Sequence, residues 1–292
     1  KVTNSISENE IVITSENGQA RQLLLDGKKA SIMKLGQILR IVWLVPSMDK
    51  IWTEGSSGRR QFLDRLTLSY FPKHAEVSLL YEKAMKERNR LLKEKIYNDQ
   101  WYNALEIEMA KSAVSIQKSR MQAIQYLTEA QNQLTGNFPK AELLLIDPEQ
   151  NIITDEDEAV RALKCSRQND MIIGRTSVGP HKSDLQAIYL NKSMPAKDSS
   201  TGEQKALLIS IILSNAKSLA KISNVSPIVL LDEVSAHLDN ERRAALYDEI
   251  CQLGVQAWMT GTELELFSEL KDKAQFIEVT AADGISTLSV SS

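Results

Sequence analysis

Apolar positions along this chain change period more than once, and the changes divide it into stretches of different architecture. Through residues 1–46 short apolar runs alternate with turn signals such as Glu16-Asn17-Gly18 and Asp26-Gly27, predicting short strands that end at Pro46. From about Ser57 to Leu134 the spacing becomes helical. Trp101, Leu105, Met109, Ser112, Ile116, Ala123, Leu127 and Leu134 keep a helical rhythm and share one face. Pro72 interrupts the preceding helical stretch and residues 81–96 resume it. Two long helices in succession predict an antiparallel pair, a short arm closed by Gly136-Asn137-Phe138-Pro139. Beyond it, 143–146 and 152–153 flank a turn at Asp147-Pro148, and 156–168 reads as a helix. Residues 171–174 and 185–190 read as strands returning to the first lobe, with 191–198 as a loop.

The chemistry concentrates near residue 230. Ile228-Val229-Leu230-Leu231, behind Pro227, reads as a buried strand, and Asp232-Glu233 stand where it ends. Isolated charges are costly to desolvate, so acids at that place call for a reason. In nucleotide-hydrolysing folds the first holds magnesium and the second polarises an attacking water; a strand simply leaving the core reads the same way. Upstream, Ser199-Ser200-Thr201-Gly202-Glu203-Gln204 precedes an apolar helical run, a helix start whose free N–H groups and dipole suit a phosphate. An ordinary capped helix has the same pattern. Downstream come Val234-Ser235-Ala236-His237-Leu238-Asp239, a predicted helix over 240–253 and a buried strand over 255–260.

This order of parts resembles the ATP-binding-cassette ATPase superfamily, in its Rad50 and SMC branch. Ser200-Thr201-Gly202-Glu203 is similar to the signature motif, Ile228 to Asp232 to the Walker B strand, Glu233 to the catalytic glutamate, and Ser235 to Asp239 to the D-loop. Gly58-Arg59-Arg60-Gln61-Phe62-Leu63-Asp64-Arg65, Gly179-Pro180-His181-Lys182-Ser183-Asp184-Leu185 and Arg88-Asn89-Arg90-Leu91-Leu92-Lys93 resemble segments of the RecF family, so the resemblance runs from about Leu35 to Thr262. It implies an α/β fold: an ABC-ATPase, Rad50-like head with a mixed sheet plus a helical arm lobe. Residues 1–50 would be the remainder of an amino-terminal ATPase lobe, 51–170 the arm, and 171–292 the carboxy-terminal ATPase lobe.

The resemblance also implies ATP and Mg²⁺ as cofactors. Ser200, Thr201, Gly202 and Glu203 would bind nucleotide, Asp232 the metal, and Glu233 and Asp239 would act in catalysis and coupling. ATP would join two heads on gapped or duplex-to-single-strand DNA in recombinational repair and the SOS response, with RecR and RecO as partners, in the cytoplasm at the nucleoid. Two other readings stay open: an SMC- or Rad50-like head with a short arm, and a DNA-binding adaptor without turnover.

No Gly-x-x-x-x-Gly-Lys-Ser/Thr occurs in the chain, and at Gly174–Gly179 the glycine spacing is followed by Pro180 and His181, which removes a donor a phosphate cradle needs. RecF-like proteins carry the phosphate loop near the amino terminus, and this chain opens on Lys1-Val2 rather than Met. The expectation is a piece lacking that start, which as it stands binds ATP poorly and hydrolyses none. The strand over 255–260 is followed by Thr260-Gly261-Thr262, where the superfamily carries a switch histidine. No glutamine follows the strand over 41–45.

Composition adds bounds. The chain has 292 residues, 42% hydrophobic and 25% charged, which is ordinary for a globular protein of about two lobes. It contains no apolar stretch long enough for a membrane span. Cys165 and Cys251 match no metal spacing and read as buried free thiols, and His74, His181 and His237 form no ligand cluster in sequence. His181 either faces a ligand or serves a turn. A net charge of −3 leaves DNA binding to local patches. Arg88, Arg90 and Lys93 on the arm, and Arg59 and Arg60 beside Gly58, would follow a phosphate backbone; a solvated face with i,i+4 pairs explains them as well.

Overall fold

The structure, a computed structural model, describes residues 2–3, 8–15, 22–135, 138–147, 149, 152–223, 226–234, 238–282 and 285–291. Turn signal Glu16-Asn17-Gly18 and residues 136–137 of the arm's end lie outside them. The chain begins with β1 (Val2–Thr3) paired to β2 (Glu8–Asn9). An antiparallel sheet of β3 (Ile11–Thr14), β4 (Gln22–Leu25) and β5 (Lys28–Lys29) follows. After α1 (Ile32–Ile38) comes β6 (Ile41–Leu44), which leaves this amino-terminal sheet and joins the central one. The helices α2 (Ser56–Tyr70), α3 (His74–Lys93) and α4 (Asp99–Gln131) then build the arm. β7 (Ala141–Ile146) leads to α5 (Glu156–Ile173), β8 (Asp184–Tyr189) and β9 (Met194–Pro195). The carboxy-terminal part holds α6 (Thr201–Ile222), β10 (Ile228–Leu231), α7 (Asn240–Leu253), β11 (Ala257–Met259), and a hairpin of β12 (Phe276–Ala282) with β13 (Ile285–Ser291).

The central sheet is parallel, with β10 between β6 and β11: Leu231 faces Leu44 on one side and Met259 on the other. Val42, Leu44, Val229 and Leu231 are buried. They face α6, which is apolar nearly all round and buried from Gln204 to Ala216, as a helix in the middle of a core must be. Parallel sheets are usually covered on both faces. Here Trp258 is 53% exposed and Leu230 37%, so the second face of β10 and β11 lies open in the described residues, while Trp43 on β6 is half-buried with the Arg65 guanidinium over its ring.

The arm is an antiparallel α3–α4 pair, as the periodicity predicts, joined by α5. Met109, Ser112, Ile116, Ala123 and Leu127 are buried on the expected face, but Trp101 is exposed and Tyr102 takes the inward place, while Leu134 lies beyond the helix. Residues 171–173 do not form a strand. They complete α5, which ends at Gly174 in the left-handed conformation with its N–H donating to the Asp170 carbonyl. Residues 152–153 are not in a strand either. β7 pairs with β8 along its whole length, so the sequence-remote ends of the arm return to one sheet.

At the heart of the arm sits Arg88, expected at the surface and fully buried instead. Its Nε donates to Glu106 Oε1 (3.1 Å), Nη1 to Asp170 Oδ2 (2.6 Å) and Thr176 Oγ1 (2.9 Å), and Nη2 to the Leu163 carbonyl (2.9 Å). Arg167 adds a second cation, with Nη2 2.6 Å from Glu106 Oε2. A guanidinium is tolerated there because nearly all its donors are met. Replacing Arg88 with Ala leaves Asp170 buried without its cation, and Glu106 with Arg167 as its remaining one, and is expected to cost about 3–5 kcal/mol, measured as a lowered urea midpoint with an unchanged slope.

Candidate functional site

At the carboxyl end of β10 the Asp232 N–H donates to the Leu44 carbonyl (2.9 Å), and there the chain leaves the sheet. Glu233 then turns left-handed, with φ 50°, a conformation that is strained for a residue with a Cβ. Thr260 holds that turn. Its N–H donates to the Leu231 carbonyl (3.0 Å), its Oγ1 accepts from the Glu233 N–H (3.1 Å), and its hydroxyl donates to Asp232 Oδ1 (2.6 Å). Both acids are exposed, and among the described residues neither forms an ion pair. Thr260 is the residue that reading the sequence missed: it stands where a switch histidine was sought, and that position was the only signal.

Asp232 fits the role expected of it toward Mg²⁺. Such an ion is commonly held by one or two carboxylates and completes its octahedron with water and phosphate oxygens. An exposed carboxylate with one oxygen already anchored by a hydroxyl suits that demand. Among the described residues no group of three or more His, Cys, Asp or Glu forms a self-sufficient metal cage.

The turn before α6 is a reciprocal cap. The Glu203 N–H donates to Ser200 Oγ (3.4 Å), and Glu203 Oε2 accepts from the Ser200 N–H (3.1 Å) and hydroxyl (3.0 Å). Ser200 and Thr201 are exposed, and among the described residues nothing outside its chain neighbours and own helix backbone lies within 4 Å of where a Gly202 Cβ would stand. Lys192 reaches the same carboxylate, Nζ to Glu203 Oε1 at 2.6 Å, and this contact, with the Ser200 hydrogen bonds, holds Glu203 below the usual carboxylate range. One turn on, buried Lys205 pairs with Asp49 (3.2 Å), fixing α6 to the segment after β6.

Residues 235–237 of the D-loop stretch, His237 among them, lie outside the described residues. Asp239 is exposed and caps α7, its Oδ1 accepting from the Arg242 N–H (2.8 Å).

The basic residues divide. Arg88 is withdrawn from any nucleic-acid surface by its burial. Arg59 is likewise committed, forming a two-pronged pair with Asp184 (both 2.8 Å) and donating to the Ile51 carbonyl (3.3 Å). Arg60 is half-buried and donates to the Ser183 carbonyl (3.1 Å). Arg90 is exposed but paired to Glu87 and Glu94, each at 3.1 Å, and Lys93 is exposed.

These contacts explain the Gly-Pro-His segment. Gly179 has φ 133°, and a Cβ there would run into the Tyr81 hydroxyl. That hydroxyl lies 2.7 Å from His181 Nδ1, while His181 Nε2 is 3.1 Å from the Thr176 carbonyl, so the network sets Nε2 as donor and Nδ1 as acceptor. Burial lowers the His181 pKa, favouring the neutral ring. Arg120 joins the same junction: Nη1 donates to the Pro180 carbonyl (2.8 Å), and Nε and Nη2 to Asp64 (both 2.8 Å). Burial pushes Asp64 up, but the hydrogen bonds from His74 and Arg120 win and hold it at about 2. His181 therefore serves a turn. Cys165 and Cys251 are exposed rather than buried, on the outer sides of α5 and α7.

No protein-family model matches the chain. It is 42% identical over 277 residues to the DNA replication and repair protein RecF of Mesorhizobium japonicum, covering 92% of this chain and 73% of that protein. Among solved structures it is similar to the recombination mediator protein RecF-ATPrS in the RecFOR pathway, with a TM-score of 0.79 at 22% identity over 97% of this chain and 77% of that one. It also aligns with the Smc head bound to the C-winged helix domain of ScpA, at a TM-score of 0.50 and 14% identity over 99% of this chain and 70% of that one. The fold is thus that of these RecF and Smc heads, with a mixed α/β core and a helical arm. Among the described residues no helix is long and apolar enough to cross a membrane.

Proposed function

The chain belongs to the RecF family of DNA replication and repair proteins, and from that premise we propose that it is an ATP-dependent DNA-binding protein whose heads close in pairs on nucleotide. The observation that carries this reading is the exposed pair Asp232-Glu233 at the open carboxyl end of the central parallel strand, on the same chain as an exposed, capped Ser-x-Gly-Glu turn. Parallel sheets bind ligands at that end.

Each copy would offer its acids to one nucleotide and its Ser200–Glu203 turn to the other copy's. ATP with Mg²⁺ supplies a phosphoryl group whose cleavage times release. Asp232 would hold the Mg²⁺ that offsets phosphate charge. Glu233, held left-handed by Thr260, aims its carboxylate at the attacking water. Ser200 and the first N–H groups of α6, at the positive end of a 22-residue helix, face the terminal phosphate. Asp239 couples the two sites from its cap on α7.

DNA would be held sequence-independently, with Arg90 and Lys93 the arm's candidates, at gaps met during recombinational repair and the SOS response. RecR and RecO are the proposed partners, and the nucleoid in the cytoplasm the proposed place. Residues 51–170 serve as the arm between the 1–50 and 171–292 parts of the head.

In the intact gene product, Glu233→Gln is expected to accumulate an ATP-bound dimer in sedimentation velocity, and Ser200→Arg to prevent dimerisation while nucleotide binding persists. A Glu233→Gln protein that stays monomeric with saturating ATP would sink the reading. Thr260→Val should lower turnover about 10- to 100-fold with nucleotide affinity unchanged, and Thr260→Ser should restore it. Reversing charge at Arg90 and Lys93 should flatten the salt dependence of DNA affinity by about two log–log units, measured by anisotropy; an unchanged slope removes the arm from the contact surface.

A further inference from the structure

The turn offered to an incoming phosphate already contains an anion. Glu203 stands in the first turn of α6, its side chain only 15% exposed, and its Oε2 takes both the N–H and the hydroxyl of Ser200. The Ser200 proton is therefore turned toward its own chain's carboxylate rather than outward. A bare carboxylate here would repel a phosphate and compete for the hydroxyl meant to bind it.

The answering charge comes from a different element. Lys192 ends the 3₁₀ turn Leu190–Lys192 between β8 and β9, and its Nζ lies 2.6 Å from Glu203 Oε1. That tip is fixed. Ser193 behind it is left-handed at φ 49° and its N–H donates to the Leu190 carbonyl (3.2 Å). Tyr189 pairs with Met194 across the hairpin, and the Leu190 N–H donates to the Lys140 carbonyl (3.0 Å). The ammonium is thus delivered to the far oxygen of Glu203, while Oε2 keeps its two hydrogen bonds from Ser200. Glu203 and Lys192 shift toward their charged forms together, chiefly through this one contact.

We propose that Lys192 is a positioning residue of the Ser200–Glu203 turn: by neutralising Glu203 it makes the turn able to accept the terminal phosphate of a nucleotide held by a second copy. This rests on the paired-head reading above and adds to it a residue that no motif contains. The β8–β9 hairpin then becomes part of the binding apparatus. Because β8 also begins at Asp184, the partner of Arg59, the same strand links the arm junction to the phosphate turn.

The test is a charge cycle in the intact gene product, reading the dimer dissociation constant with ATP by sedimentation equilibrium. Lys192→Met keeps the aliphatic stem and removes the charge. It is expected to weaken the dimer about fivefold per site, hence about 25-fold for two sites, and Lys192→Arg to restore it. In a Glu203→Gln background, where the cap keeps its geometry without the anion, Lys192→Met should change nothing. A dimer equally tight in Lys192→Met overturns the inference, as does an equal loss in the Glu203→Gln background, which would make Lys192 merely structural. If the unsubstituted protein stays monomeric with ATP, the paired-head reading fails and this inference with it; if it dimerises, the two stand or fall separately.

Discussion

A guanidinium removed from water must find carboxylates and carbonyls for its donors or it will not stay, and the arm of this protein depends on that demand being met at several places. Arg88 binds Glu106, Asp170, Thr176 and the Leu163 carbonyl without exposure, so α3, α4, α5 and the chain after α5 can meet in only one arrangement. Arg120 does the same between α4, Asp64 on α2 and the Pro180 carbonyl, and Arg59 ties α2 to the start of β8. Such pairs are weak sources of net stability. Their directional geometry fixes how the arm sits on the head, and through β8 that placement reaches the turn before α6.

The site at the end of β10 is held by a smaller version of the same logic. Glu233 occupies a left-handed conformation that sequence alone disfavours, and the hydroxyl of Thr260, from the neighbouring strand, takes its N–H while donating to Asp232. Strain of this kind persists where surrounding bonds over-determine it. The adjacent parallel strands supply that rigidity. Asp232 and Thr260 are both anchored by backbone bonds to the strand beside them, so the two acids leave the sheet with fixed directions.

Much of the head was legible locally. The strand over 228–231, the helix over 240–253 and the capped start of α6 follow from short-range rules: an apolar run bounded by proline and acids, an aspartate cap, and Ser followed three residues on by Glu. Errors fell where a distant partner decides. Met171–Gly174 has the composition of a strand, but Asp170 is held by Arg88 from 82 positions away and keeps the helix running to Ile173. Trp101 and Tyr102 compete for one inward place, and the smaller ring takes it beneath the Arg167 guanidinium, 5.3 Å from its centroid. Arginines read as surface charge proved to be internal bolts, because a sequence shows the cation but not the carboxylates folded around it.

The amino-acid sequence by itself determined the order of chemical parts: the helical insertion first, then the serine-glycine turn before a helix, then the acids after the buried strand. Those features are written in neighbouring residues, whose bonds and periodicity act over a few positions. Only the tertiary structure decided which charges remain free. Lys192 and Glu203, Lys205 and Asp49, and Thr260 with Asp232 are joined by strands and helices that close over long loops, and a hydrogen bond's strict distance makes such choices invisible until the chain is folded.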